Sequence, residues 1–362
     1  MSEHFIKNIE IKDYKCFKDF KAKGFGRVNL IGGKNNVGKT AFMEACYLSQ
    51  SEDTPSLYRK LLEISTHRNI INNLLENISR EKALENLIKE NINLSIFIKN
   101  ITLRPILQIN NEGESIHVDD YEIPCGLVEI KKNNKQGTID IYTKLFLCDW
   151  YENESPSPHS YSYSKLIDIL NLNLNKTNYQ FSINFISPYS NSDQELENII
   201  GDSKLTDNKY EMLNKYLLEV FNVSSIDIIK NKPMLKSNGE YRELSHFGQG
   251  IKTFINIISS ILLLQDDFIF IDEIENGIHY TNLDKLWEII LTISKEQNVQ
   301  VFATTHSKEC IESYARVAKR LEDEEITMTV LARNLKNELK ALVYTDKMFY
   351  SELEQNHEVR GW

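Results

Sequence analysis

No Cys-x-x-Cys pair occurs in this chain. Its five cysteines, Cys16, Cys46, Cys125, Cys148 and Cys310, are odd in number and widely scattered. Neither a disulfide framework nor a cysteine zinc site is indicated, and a reducing, cytoplasmic compartment fits best. Glycine (14) and proline (7) are scarce, which excludes collagen-like and low-complexity classes. Long apolar runs are missing too. The most apolar stretch, Phe254 to Leu264, is 11 residues and is interrupted by Asn256, Ser259 and Ser260, too short to span a bilayer. The N-terminal MSEHFIKNIE has no apolar signal core. We therefore expect no membrane partner. Positive charge is in deficit, with 42 Lys and Arg against 52 Asp and Glu, a formal charge of −10. Such a chain is no passive binder of nucleic acid. Yet residues 1–40 carry nine basic against four acidic residues, so a local basic lobe leaves DNA open as a ligand.

What is present is globular. Hydrophobic residues make up 41% and charged residues 26% of 362. That length suggests two domains, or one interrupted by an insertion. The first forty residues read as three short strands: Phe5 to Ile11, Phe17 to Phe20, and Val28 to Ile31. A glycine-rich loop follows, then a helix from Thr40 to Leu48 with Phe42, Ala45, Cys46 and Leu48 on one face. Residues 54–95 carry helical three- and four-residue apolar steps. Residues 95–148 switch to β-rich runs parted by turn clusters such as NNEGES and KNNKQG, an antiparallel lobe. The serine- and proline-rich stretch 152–164 reads as a linker. From about 178 the pattern is α/β, with a strand YQFSINFI, helices at 192–200 and 207–221, SSIDIIK, and a loop at 236–250. Then come a helix from Ile251 to Leu264, strand Phe268–Ile271, a helix at 280–295, strand VQVFATT, a helix at 307–321, and two strands near 326–333 and 338–345. The expected division is 1–50, 51–177 and 178–362, the middle segment being a helical and β-rich insertion between two parts of one α/β domain.

Gly33-Lys34-Asn35-Asn36-Val37-Gly38-Lys39-Thr40 fits G-x-x-x-x-G-K-[ST] in full. Glycines let successive backbone N–H groups turn inward as an anion cradle. Lys39 supplies positive charge at the β- and γ-phosphates. The Thr40 hydroxyl is a ligand for Mg²⁺, and the helix N-terminus adds its dipole. A random chain of this length matches in about one case in a hundred. The preceding apolar strand and following helix make chance rarer still.

Phe268 to Ile271 is an apolar strand ending in Asp272-Glu273. Placed beside the phosphate-loop strand, it would deliver Asp272 to the Mg²⁺ shell and Glu273 to the attacking water. A solvated acidic turn explains the same residues taken alone. Leu244-Ser245-His246-Phe247-Gly248-Gln249-Gly250 precedes a long apolar helix and forms a second anion site. One nucleotide does not need two such sites in one chain, which points to a head-to-tail dimer. An ordinary serine cap with flexible glycines is the competing account. His306 follows an apolar strand, where ligands of α/β sheets bind, and is a candidate γ-phosphate sensor. Asn276, Gly277 and His279 form either a dimer-contact loop or a plain helix-entry turn with Thr281 or Asn282 as cap. Tyr14, Lys15 and Phe17 are weaker candidates for adenine or ribose contacts.

In this order, GKNNVGKT, LSHFGQG, FIFIDEIENGIHY and VFATTHS resemble the ABC-type ATPase heads of the SMC/RecF and overcoming-lysogenisation-defect group. The opening IKNIEIKDYKCFKDF is similar to that group's N-terminal strand pair. The resemblance covers roughly residues 1–50 and 178–345; the middle region carries none. It implies an ABC-type P-loop head with a mixed, mostly parallel sheet and an antiparallel β subdomain. It implies ATP and Mg²⁺ as ligands, bound by Gly33, Asn35, Asn36, Val37, Gly38, Lys39 and Thr40, with Asn35 as the Walker A asparagine. Ser245, Gly248 and Gly250 become the signature loop facing a partner's γ-phosphate. Asp272 and Glu273 become the Walker B metal and base residues, Asn276 to His279 the D-loop, and His306 the switch histidine. The intervening His246 and Phe247 depart from Leu-Ser-Gly-Gly-Gln and leave open which glycine faces phosphate. No Q-loop glutamine stands out; Gln108 and Gln180 are candidates. The implied activity is ATP hydrolysis in a homodimer or higher homo-oligomer. Resemblance to the stand-alone members of the group implies a role in anti-phage defence with a separate effector; the segment after His306 is expected to be too short for a TOPRIM nuclease domain, so any nuclease would be a partner chain. A RecF-like DNA repair ATPase is the alternative.

Overall fold

The computed structural model describes residues 5–50, 60, 64, 95–98, 101–107, 117–118, 121–122, 125–134, 137–146, 183–188, 196, 199–200, 207–230 and 232–354. The chain forms two compact units. One comprises Met1–Asn8, Ala22–Met43 and Phe181–Trp362; the other comprises Ile9–Lys21 and Glu44–Gln180.

The first unit is built on a six-stranded sheet. Its strands are β3 (Val28–Gly33), β10 (Phe185–Ile186), β14 (Phe268–Ile271), β15 (Gln300–Thr304), β16 (Ile326–Arg333) and β17 (Leu339–Thr345). They lie in the order β10-β14-β15-β3-β16-β17. The first five are parallel and β17 returns antiparallel against β16. Strands β3 and β15 are buried along their whole length, which is why they read as continuous apolar runs rather than alternating ones. This is the α/β class with a mixed sheet. Among the described residues of this unit, helices α2 (Asp207–Phe221), α3 (Gln249–Leu263), α4 (Leu283–Glu296) and α5 (Lys308–Arg320) accompany the sheet. A short α6 (Asp346–Glu354) follows β17. The core joins Phe254, Ile258 and Ile261 of α3 to Trp287 and Ile290 of α4 and Tyr314 of α5.

A buried polar cluster closes the end of the sheet where β3 begins. Arg27 is only 2% exposed, pairs with Asp323, and donates to the Leu291 carbonyl at 3.2 Å. Asn29 accepts from the Gly26 N–H at 2.8 Å and donates to the Val301 carbonyl at 3.1 Å. Gly26 admits no side chain, since a Cβ there would lie 2.5 Å from the Glu325 carbonyl oxygen.

Strands β11 (Ser225–Ile229), β12 (Lys232–Ser237) and β13 (Glu240–Glu243) form a separate antiparallel sheet. This corrects the loop expected over 236–250. Asn238 (φ 52°) and Gly239 (φ 83°) both take left-handed backbone. Asn-Gly in that conformation is a hairpin turn, so the signal was present in the sequence. Only 247–248 remain irregular, after a 3₁₀ turn at Leu244–His246.

The second unit carries an antiparallel six-stranded sheet ordered β2-β1-β4-β5-β8-β9. Its strands are β1 (Asn8–Tyr14), β2 (Phe17–Lys23), β4 (Ser95–Ile98), β5 (Ile101–Leu107), β8 (Cys125–Asn134) and β9 (Gly137–Phe146). Short β6 (His117–Val118) and β7 (Tyr121–Glu122) pair with each other. The β-rich lobe expected at 95–148 is therefore antiparallel, joined to the two N-terminal strands. Phe17 packs edge-on against Phe20 at 4.8 Å and is buried. Tyr14 donates to Glu44 at 3.1 Å and Lys15 pairs with the same carboxylate. Tyr14 and Phe17 are thus buried in core contacts, while Lys15 is an exposed residue in an ion pair. The helices expected at 54–95 fall outside the described residues apart from Lys60 and Ile64. The linker at 152–164, Gln108 and Gln180 fall outside them altogether.

Candidate functional site

Strands β3, β14 and β15 run parallel, so their carboxyl ends open on one edge of the sheet. That edge is where α/β proteins gather their ligand-binding loops. Here it brings together the 33–40 loop, Asp272-Glu273 and His306.

After β3 the chain turns sharply. Gly33 (φ 150°), Asn36 (φ 60°) and Gly38 (φ 112°) all have positive φ. A Cβ on Gly33 would lie 2.7 Å from the Leu331 carbonyl oxygen, so this position needs glycine for space as well as conformation. Val37 is buried and anchors the loop, while Asn35 and Asn36 are exposed. Helix α1 (Lys39–Ser49) starts directly behind. Its residues Ala41 to Ser49 are all buried, a wider buried surface than the single face expected. The Lys39 ammonium folds back over the loop and donates to the Gly33 and Lys34 carbonyls at 2.9 and 3.1 Å. Burial lowers its pKa, an effect opposed by Asp272, Glu275 and Glu273.

The acidic strand is not beside the phosphate-loop strand, contrary to the sequence-based expectation. β15 lies between β14 and β3. The gap is closed by side chains on either side of β15. Thr40, one residue into α1, donates to Asp272 Oδ2 at 2.9 Å. Thr304, the last residue of β15, donates to Asp272 Oδ1 at 2.5 Å. The same Thr304 hydroxyl accepts the Glu273 N–H at 2.8 Å. That bond holds Glu273 at φ 53°, a left-handed conformation that costs a non-glycine residue strain and is found most at functional sites. Burial raises the Glu273 pKa, with Asp272 adding to the rise while His306 and Lys39 oppose it.

Two residues missing from the sequence-based set belong to this junction: Thr304 and Glu275. Glu275 Oε1 accepts the His306 backbone N–H at 3.0 Å and faces His306 Nδ1 at 3.4 Å. Thr304 read as one more β-branched strand residue. Glu275 read as part of a solvated turn. Only the register of β14 against β15 shows what they touch.

The 244–250 segment is split by the structure. Ser245, His246, Gly248 and Gln249 are exposed. Gly248 has open space where a Cβ would point, whereas a Cβ on Gly250 would lie 2.2 Å from the Gly277 carbonyl oxygen. Gly250 is therefore buried by backbone packing against the 272–279 loop. Of the two glycines expected to face phosphate, Gly248 is the one left open. In that loop His279 caps a 3₁₀ turn at Tyr280–Asn282, accepting from the Thr281 N–H at 3.5 Å. The helix-entry turn is therefore present in this loop.

A Mg²⁺ site fits these residues. Thr40 and Asp272 offer hard oxygens 2.9 Å apart. Mg²⁺ takes one or two such protein ligands, with water and phosphate oxygens completing its shell. Among the described residues no group of three or more His, Cys, Asp or Glu offers a competing metal site. Among them, too, no helix is long and apolar enough to cross a membrane.

A glycine-rich loop between a buried parallel strand and a helix, facing an acidic strand end, defines a P-loop nucleotide hydrolase. The chain belongs to the family described as "AAA domain, putative AbiEii toxin, Type IV TA system", whose model matches residues 28–312. It is an AAA-type ATPase. It is 27% identical over 336 residues to a protein named "ATP/GTP phosphatase" from Helicobacter pylori, covering 87% of this chain and 88% of that one. It is similar in chain path to the SMC head domain from Thermotoga maritima, with a TM-score of 0.44, 13% identity, and coverage of 93% and 98%. An Smc head domain with an extended coiled coil, bound to the C-terminal domain of ScpA and derived from Pyrococcus furiosus, gives a TM-score of 0.44, 12% identity, and coverage of 97% and 99%.

Proposed function

We propose that this ATPase hydrolyses ATP at the junction of Lys39, Thr40, Asp272, Glu273 and His306. It would act as a nucleotide-closed homodimer controlling a separate effector in anti-phage defence. One observation carries the catalytic reading: Thr40 and Asp272, 232 positions apart, meet at 2.9 Å beside Lys39 and Glu273. On nucleotide binding the Lys39 ammonium exchanges its two carbonyl partners for phosphate oxygens. Gly33, Asn35, Asn36, Val37 and Gly38 shape the backbone cradle around them. Thr40 and Asp272 would hold Mg²⁺, which would supply positive charge at the β- and γ-phosphates. Glu273, anchored by Thr304, orients the attacking water and takes its proton, and its raised pKa suits it to that exchange. His306 contacts the γ-phosphate and reports its loss.

The dimer reading rests on the exposed 245–249 segment, where Ser245 and the open Gly248 are free to meet a nucleotide held by another copy. Closure with ATP and opening after hydrolysis follow from contacts made only with the γ-phosphate. The defence reading is supported by the family description, which names a putative toxin of a type IV toxin–antitoxin system. A RecF-like DNA ATPase is the second reading, favoured by the basic balance of residues 1–40.

Phosphate release from ATP and from GTP, measured on the full chain and on the Lys39→Ala and Glu273→Gln variants, tests the site. Both substitutions should lower turnover by about a hundredfold or more. Unchanged turnover in either removes the assigned site, and turnover with GTP alone changes the substrate.

A further inference from the structure

The reading above leaves Glu275 without a task. It is three residues past Asp272 and 88% buried at its side chain. Its bonding is lopsided. Oε1 accepts the His306 N–H at 3.0 Å and lies 3.4 Å from His306 Nδ1. Oε2 is buried with no partner among the described residues. Buried polar atoms are almost always satisfied, and the exceptions call for a reason. No Lys or Arg lies within ion-pair distance of Glu275 among the described residues; the ring it faces there is that of His306.

The histidine depends on this contact more than the carboxylate does. His306 is half exposed, with its side chain 49% accessible. It stands between the end of β15 and the Ser307 cap of α5. Without a partner, its ring would sample several rotamers in water. A carboxylate facing Nδ1 favours the tautomer with the proton on that nitrogen and turns Nε2 outward. The backbone bond to the same carboxylate fixes where the ring is rooted.

We infer that Glu275 is the positioning residue for His306. It holds the backbone and imidazole of His306 so that Nε2 meets the γ-phosphate, and it acts on hydrolysis through that histidine alone. This rests on the proposed contact of His306 with the γ-phosphate. It adds a second carboxylate function to the acidic strand end: Glu273 for water, Glu275 for the sensor.

The test is a double-mutant cycle on the full chain with ATP and Mg²⁺, scored by kcat, KM and melting temperature. The variants are His306→Ala, Glu275→Ala, Glu275→Gln and the double alanine. Glu275→Ala should lower kcat on the order of tenfold to a hundredfold, as loss of an orienting partner does, with KM for ATP changed less than about twofold. The double variant should be no slower than His306→Ala alone, because a group acting through a missing residue has nothing left to contribute. Glu275→Gln keeps a carbonyl acceptor for the His306 N–H but lacks the charge, and should fall between wild type and Glu275→Ala. Losses that multiply in the double variant overturn the inference. So does a slow His306→Ala beside a normal Glu275→Ala. Wild-type turnover in His306→Ala removes the histidine's role and this inference with it, while Lys39, Asp272 and Glu273 stand. If Glu275→Ala does not fold, Glu275→Gln in place of alanine throughout decides the same question.

Discussion

Thr304 is a small polar group at the junction that touches both acids. Its hydroxyl donates to Asp272 and accepts from the Glu273 N–H. Replacing it with valine keeps shape and burial while removing both bonds. Thr304→Val should stay folded yet lose about tenfold to a hundredfold in turnover, because Glu273 loses its anchor and Asp272 loses one of its partners. A steady-state assay beside a melting curve checks this, and unaltered turnover would show that Glu273 keeps its left-handed backbone unaided. At the opposite end of β3, Arg27 and Asp323 form a buried ion pair. Arg27→Met removes one partner and leaves Asp323, itself 7% exposed at its side chain, without its guanidinium. That should cost about 3–5 kcal/mol in chemical denaturation, without altering KM for ATP in whatever fraction remains folded. Functional residues were unequally legible in the sequence. The phosphate loop announced itself because its chemistry needs particular residue types at fixed spacing. Thr304 and Arg27 did not, because a threonine in a strand and an arginine near a turn have many uses, and only register selects one.

Among the elements, the start of α3 separates two readings of the 244–250 segment. Gly248 has open space and Gly250 has none. Gly250→Ala must displace the 272–279 loop, and should destabilise the fold by about 1–3 kcal/mol. Gly248→Ala should leave the melting temperature unchanged and weaken only ATP-dependent association. Equal effects on stability would erase the distinction. Helices α4 and α5 are tied by Asp284, which accepts from Arg316 at 2.6 and 2.9 Å and from Ser313 at 2.5 Å. The Arg316 guanidinium holds the Asp284 carboxyl below its ordinary value. A depressed carboxylate stabilises the fold above its unfolded pKa, and the contribution is lost as pH falls through the folded value. The melting-temperature gap between wild type and Asp284→Asn should therefore be widest near neutrality and shrink below about pH 4. A constant gap would mean that the charge contributes nothing. Since the pair is largely exposed, the gap should be small and salt-sensitive.

For the whole molecule, charge and association state discriminate between the proposed partners. A chain of net charge −10 with a basic N-terminal stretch should bind DNA, if at all, with an affinity that falls steeply as salt rises. Native mass, measured on Glu273→Gln with and without ATP, should double only with nucleotide if the exposed 245–249 segment completes a second copy's site. Co-purification of a second protein in fixed ratio would support the effector reading. A monomer at every nucleotide concentration would remove the dimer.

By itself the sequence determined the α/β class, the phosphate loop, the acidic strand end, the antiparallel lobe and the boundaries of α2, α5 and β16 to within a residue or two. These are local properties, carried by periodicity, by spacing and by side chains whose chemistry allows few substitutes. Tertiary structure alone decided that β15 stands between β14 and β3, and hence that Thr304 links the two acids. It alone decided that Gly250 faces Gly277 rather than open space, and that Glu275 reaches His306. Strand order and register bring together residues distant along the chain. Hydrophobic pattern records which face of a strand is buried, but not which neighbour it is buried against.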